Sequence, residues 1–199
     1  SESDRAITML RWGALIALGS RRARSKSSKW IRSGRRLAKL SGNANAIALA
    51  QVCTFVWLFA HGRFHRAQFH GLKSLNFYRA AGLTHQWEYG FIQWMLLIQN
   101  WYSGELKSLV DATKELRIQW QDNRDVMWSF WIHTHSAHLA DLISDRPAEG
   151  RRALAMLKSE VQQQAFQSLS YFMWISEVRQ DLYEGNIESV MRLKENGWS

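Results

Sequence analysis

The densest group of chemistry-bearing side chains is His133-Thr134-His135-Ser136-Ala137-His138. Imidazoles spaced this closely could bind zinc or relay protons. On an ideal α-helix, however, His133 and His135 point about 200° apart, and only His135 and His138 share a face. The nearest carboxylate in reach is Asp141, whereas zinc ordinarily takes three or four ligands. Ordinary polar histidines are the simpler reading, so no metal and no cofactor is assigned. His61 and His65 straddle a turn and make a weaker case.

No other catalytic constellation is present. The chain has no Gly-x-x-x-x-Gly-Lys-Ser/Thr loop, no Gly-x-Gly-x-x-Gly, no Gly-x-Ser-x-Gly and no His-Glu-x-x-His. Its single cysteine, Cys53, sits in an apolar run with Val52, Phe55 and Val56, which reads as a buried inert thiol in a reducing, cytoplasmic setting. Glu105, Asp111, Glu115, Asp122 and Asp125 read as solvated helix faces. No residue is assigned a catalytic role, and the segment is not expected to be an enzyme.

Charge offers a binding chemistry instead. The chain carries +9 overall, but residues 1–87 hold 15 Lys and Arg against two acids, and residues 88–199 hold 11 against 15. Between Asp4 and Glu88 there is no acidic residue. Arg21, Arg22, Arg24, Lys26 and Lys29 form the densest run and are candidates for binding an anion or an acidic partner. Such a partner could be an acidic or phosphorylated protein segment, with nucleic acid the alternative. Trp30 among the cations permits stacking on a base. Arg21-Arg22-Ala23-Arg24-Ser25 also suits a basophilic kinase, whose phosphate would cancel much of the local charge.

The elements that position these residues repeat along the chain. A long apolar run ends, a Gly or Asp with polar neighbours turns the chain, and an amphipathic helix pattern begins. The pivots Gly62, Gly104, Asp145 and Gly185 are separated by 42, 41 and 40 residues, and Gly19 lies 43 before Gly62. A fixed period of this size marks a helical-hairpin array. With one Pro in 199 residues, and no sustained two-residue alternation, the pattern predicts an all-α fold. The expected domain is a single superhelix over 1–199, with hairpins at about 5–40, 44–81, 86–120, 124–161 and 165–197.

Within that frame Ile7, Leu10, Ala14, Leu15 and Leu18 form the expected buried stripe of the first helix. Residues 21–40 carry too few apolar side chains for a core helix and read as a surface helix fraying at its start or a partly mobile edge. Ala44–Ala60 is apolar nearly all round, as suits a helix sandwiched between neighbours. It holds Asn45, Gln51 and Thr54 and falls short of the roughly 18–20 apolar residues of a membrane span. Its partner buries Ala67, Leu72, Leu75 and Ala80, with Gly82 ending it. Asp145 is placed to cap the helix that Pro147 opens. The first helix of each later pair is the more aromatic, predicting a Trp-rich spine. Trp94, Trp131 and His135 would become groove residues if exposed.

The turn Gly62-Arg63-Phe64-His65-Arg66-Ala67 resembles the hairpin turn of tetratricopeptide repeats, in a longer, degenerate form. Ser144-Asp145-Arg146-Pro147-Ala148-Glu149-Gly150-Arg151-Arg152-Ala153-Leu154 and Gln180-Asp181-Leu182-Tyr183-Glu184-Gly185-Asn186 resemble the carboxy-terminal repeat region of large bacterial serine/threonine kinase–ATPase regulators. That resemblance implies a sensing or docking segment of a longer signalling protein, acting on a protein partner or on other domains of the same chain. The missing initiator Met and abrupt end also read as an excised piece.

Overall fold

The computed structural model describes residues 1–19, 21–120, 130–161 and 167–196. Among the described residues the α-helices with both ends defined are α1 (Glu2–Leu18), α2 (Arg21–Ser41), α3 (Ala44–Ala60), α4 (Phe64–Ala80), α5 (Trp87–Ser103), α6 (Leu106–Trp120), α7 (His138–Ile143), α8 (Pro147–Val161), α9 (Gln167–Tyr183) and α10 (Ile187–Asn196). A π-helical turn, His133–Ala137, leads into α7. There is no strand among the described residues, so the chain is all-α. Among them no helix is long and apolar enough to cross a membrane. The chain packs as two compact units, Ser1–Ser103 and Gly104–Ser199.

In the first unit, α1 starts earlier than its apolar pattern implies. The Ser1 hydroxyl accepts from the Asp4 amide while the Asp4 carboxylate takes the terminal ammonium, closing a capping box. The residues that α1 buries are Ala6, Leu10, Gly13 and Ala17, and α2 answers with Ser27, Ile31, Gly34 and Ala38 at the same spacing. Small residues let the two backbones close. A Cβ on Gly34 would lie 2.7 Å from Leu10 Cγ, and one on Gly13 would lie 2.9 Å from Ile31 Cδ1. This contact is why α2 is helical from Arg21 with so few apolar side chains. It also corrects the expected stripe of α1: Leu15 and Leu18 are exposed, because the close approach is made by the small residues instead.

α3 is the centre of this unit and packs on α1, α2, α4 and α5. It buries Ala46, Leu49, Val52, Phe55, Val56 and Leu58 among others, as a helix apolar all round should. The chain reverses at Gly62, where φ is 69° and the Arg63 amide donates to the Leu58 carbonyl at 3.0 Å. α4 then buries Ala67, Gly71, Ser74, Leu75 and Tyr78. Leu72 and Ala80 point outward, contrary to the expected face, since Gly71 meets the Leu96 side chain too closely for a bulkier stripe. Gly82 ends α4 at positive φ as expected.

In the second unit Leu109 and Leu116 of α6, Phe130, and Leu154 and Leu157 of α8 are buried apolar residues. Buried polar groups cross it as well. Arg117 donates to both oxygens of the wholly buried Asp141, at 2.8 and 2.5 Å. Further along, Arg151 pairs with Asp181 at 2.6 Å and with Glu184, and Gln180 donates to the Pro147 carbonyl at 2.8 Å.

Asp145 is not the N-cap of α8. It stands in the left-handed region at φ 54°, the Arg146 amide donates to the Asp141 carbonyl at 2.8 Å, and its carboxylate accepts from the Tyr183 hydroxyl. It therefore fills the C-terminal turn position that Gly62 and Gly185 fill elsewhere. Gly19 differs from these, ending α1 with extended backbone at φ −78°.

The Trp spine holds only in part. Trp57 and Trp94 pack partly buried against the core of the first unit, while Trp87 and Trp101 are exposed, and the largest fully buried side chains are Tyr78, Phe55 and Phe130.

Candidate functional site

Leu15 and Leu18 of α1 lie off the stripe, Ala6, Leu10, Gly13 and Ala17, that α1 buries. Leu15 is 62% and Leu18 55% exposed. With Ala14 they form one wall of a groove of about 540 Å³. α3 supplies the floor through Leu49, Val52, Cys53 and Val56, and α5 the far wall through Trp87 and Phe91. The Trp87 and Phe91 rings stack at 4.9 Å with 17° between planes, and Trp87 remains 59% exposed.

One polar feature interrupts this apolar lining. Arg11 Nη2 donates to Glu88 Oε1 at 2.8 Å, joining α1 to α5 across 77 residues of sequence. The carboxylate is well covered and the guanidinium is 60% exposed. Cys53 in the floor is buried, and burial pushes its thiol up to about 12, so the nucleophilic thiolate is suppressed. A cavity of this kind can take apolar side chains and fix one polar group beside them. It presents no acid–base pair.

A smaller recess of about 270 Å³ lies beside the aromatic cluster Phe59, Phe64 and Tyr102. Arg24 lines it and donates to the Ala60 carbonyl at 2.7 Å, capping the end of α3. Arg24 is thereby drawn away from the basic run. Arg22, Lys26 and Lys29 stay exposed on α2, and the side chain of Arg21 lies outside the description.

Trp94 is half-buried on α5 beside Phe91, and Trp131 half-buried between Phe130 and Phe172. Neither lines the groove. The groove residues Arg11, Leu15, Leu18, Trp87 and Glu88 were not assigned to a site from sequence, Leu15 and Leu18 being expected in the core, because which face of α1 is covered depends on the glycine contacts with α2.

The histidine cluster falls in the π turn of the second unit. Its extra residue per turn breaks the ideal-helix geometry, so the expected shared face of His135 and His138 does not follow. His138 is buried with Nδ1 3.3 Å from the His133 carbonyl, and the side chain of His135 lies outside the description. No group of three or more His, Cys, Asp or Glu could hold a metal ion among the described residues.

Burial, and then Arg117, holds the His133 imidazole below its usual 6.5, with Asp141 opposing. His70 is also held low, by burial first and then by Arg35, Lys73 and Arg66. Both bind a proton more readily in the unfolded chain. The stability they contribute is therefore complete above pH 6.5 and is lost as pH falls below it. Urea midpoints at about pH 7.5 and 5.5 should differ, and His133→Gln and His70→Gln should each flatten that difference. An equal fall in both variants would contradict the assignment.

No protein-family model, no curated protein and no solved structure matches this chain.

Proposed function

We propose that this chain is a helical-repeat interaction module, which docks a segment of a partner protein, or of another part of its own polypeptide, in the groove between α1, α3 and α5. The observation that carries this reading is the exposure of Leu15, Leu18 and Trp87 around an apolar cavity with a single ion pair at its edge. Large apolar side chains left in water around a concavity are what peptide-binding grooves present. Arg11 and Glu88 would fix the orientation of a ligand whose affinity comes from apolar anchors.

The turn spacing of 40–42 residues supports a degenerate tetratricopeptide-like superhelix, in which each unit stacks on the next and first helices line one side. On the resemblance of its later turns, the chain would be the docking or sensing part of a larger cytoplasmic kinase–ATPase regulator, without chemistry of its own.

The test is selection from a random peptide library against the purified chain, followed by affinity measurement on the enriched sequences. Peptides with two or more spaced apolar anchors should be enriched, and Leu15→Asp should weaken them at least tenfold, the scale of burying a charge beside an apolar anchor. Enriched peptides that bind Leu15→Asp as tightly as the parent would contradict the groove reading.

A further inference from the structure

Away from the groove the first unit carries a different chemistry. The unit as a whole holds 15 Lys and Arg against Glu2, Asp4 and Glu88, a net charge of +12. Among its described residues Arg11–Glu88 is the one ion pair between side chains. The remaining described cations have no carboxylate partner within this unit.

These cations are arranged. α2 and α4 both pack on α3. Arg32, Arg35 and Lys39 occupy one stripe of α2, at i, i+3 and i+7, and all three are exposed. On α4, Arg66, His70 and Lys73 occupy a matching stripe, with both cations exposed. His70 Nδ1 lies 2.8 Å from Gln51 Oε1 of α3, which ties the α4 stripe to the central helix. Arg66 and Lys73 flank that ring on its own helix, one turn to either side, and the charge of Arg35 on α2 is felt there as well. Beside them Phe69 is 63% exposed, its ring edge-on to His70 at 5.5 Å.

We propose that this α2–α4 face binds single-stranded nucleic acid, with Arg35, Arg66 and Lys73 on successive phosphates and the Phe69 ring stacked on an unpaired base. The exposed ring favours it over an acidic protein, for which the cations alone would suffice. Cations beside an exposed aromatic ring are the combination that holds unpaired bases without reading their sequence. A duplex hides its base faces and would gain only the phosphate contacts.

The test uses fluorescently labelled oligothymidylate and oligouridylate of about 20 nucleotides, longer than one single-strand site. Binding is measured from about 0.05 to 0.2 M salt, beside a duplex of equal length and polyglutamate as competitor. Three phosphate contacts predict a slope of about −2 in log affinity against log salt. Phe69→Ala should weaken single strands about tenfold, with little effect on duplex. Arg35→Glu/Arg66→Glu/Lys73→Glu should abolish binding while helical circular dichroism stays unchanged, since all three side chains are exposed. Leu15→Asp should leave oligonucleotide binding intact, separating this surface from the groove. Single-strand binding that survives the triple variant would overturn the proposal. So would affinity indifferent to Phe69→Ala and fully competed by polyglutamate at equal charge, which would make the face a surface for acidic protein.

Discussion

Asp141→Ala is expected to destabilise the second unit by about 3 kcal/mol, the scale of breaking a buried ion pair from one side. Asp141 is wholly buried, and Arg117 reaches both its oxygens while Arg146 stands at 3.5 Å. Removing the carboxylate leaves Arg117, whose side chain is 30% exposed, with only the Ala137 carbonyl, at 3.4 Å, as a further acceptor among the described residues. The partial exposure keeps the cost at the lower end of the range for buried pairs. Arg117→Met/Asp141→Leu should recover most of the loss, because neither charge is then stranded. Urea unfolding followed by circular dichroism measures both. Coincident midpoints for the parent and Asp141→Ala would show that the pair contributes nothing net.

Gly34→Leu should be about as damaging in the first unit, at roughly 3 kcal/mol, the upper end for overpacking a close contact. Its Cβ would stand 2.7 Å from Leu10 Cγ and 3.2 Å from the Leu10 backbone nitrogen. Leu10 is fully buried and cannot swing aside, so α1 and α2 must separate. Helix propensity alone would favour leucine over glycine by nearly 1 kcal/mol, which gives the prediction a sharp sign. Leu10→Ala added to Gly34→Leu should restore part of the stability by returning the volume. A raised melting temperature in Gly34→Leu would mean that α2 lies further from α1 than this contact requires.

These two sites show what could be read from sequence. The helical class followed from apolar periodicity and a single proline, and turn glycines such as Gly62, Gly82 and Gly185 announced their positive φ. Asp145 was placed at the correct turn but given the wrong duty. Aspartate suits both an N-cap and a left-handed turn, and its hydrogen bond from Tyr183 lies 38 residues away. The α1 stripe was read in part: Leu10 is buried and Ile7 and Ala14 pack against the core, but Leu15 and Leu18 are exposed because backbone approach favours Ala6, Gly13 and Ala17. The groove inherits that error, since it is made of the side chains that the approach leaves over. The Arg117–Asp141 pair joins positions 24 residues apart and leaves no local pattern. The π turn at His133–Ala137 was hidden because the spacing argument assumed 100° per residue.

The most direct test of the docking account is methyl NMR on the chain, titrated with the tightest library-selected peptide. Shifts and intermolecular contacts are predicted at Leu15 and Leu18 of α1 and at Leu49, Val52 and Val56 of α3, with Trp87 indole perturbed alongside them. The methyls of Leu72 on α4 and Leu154 in the second unit should stay in place. Perturbation centred on Leu72, with the α1 and α3 methyls unmoved, would contradict the assignment of the groove as the docking site.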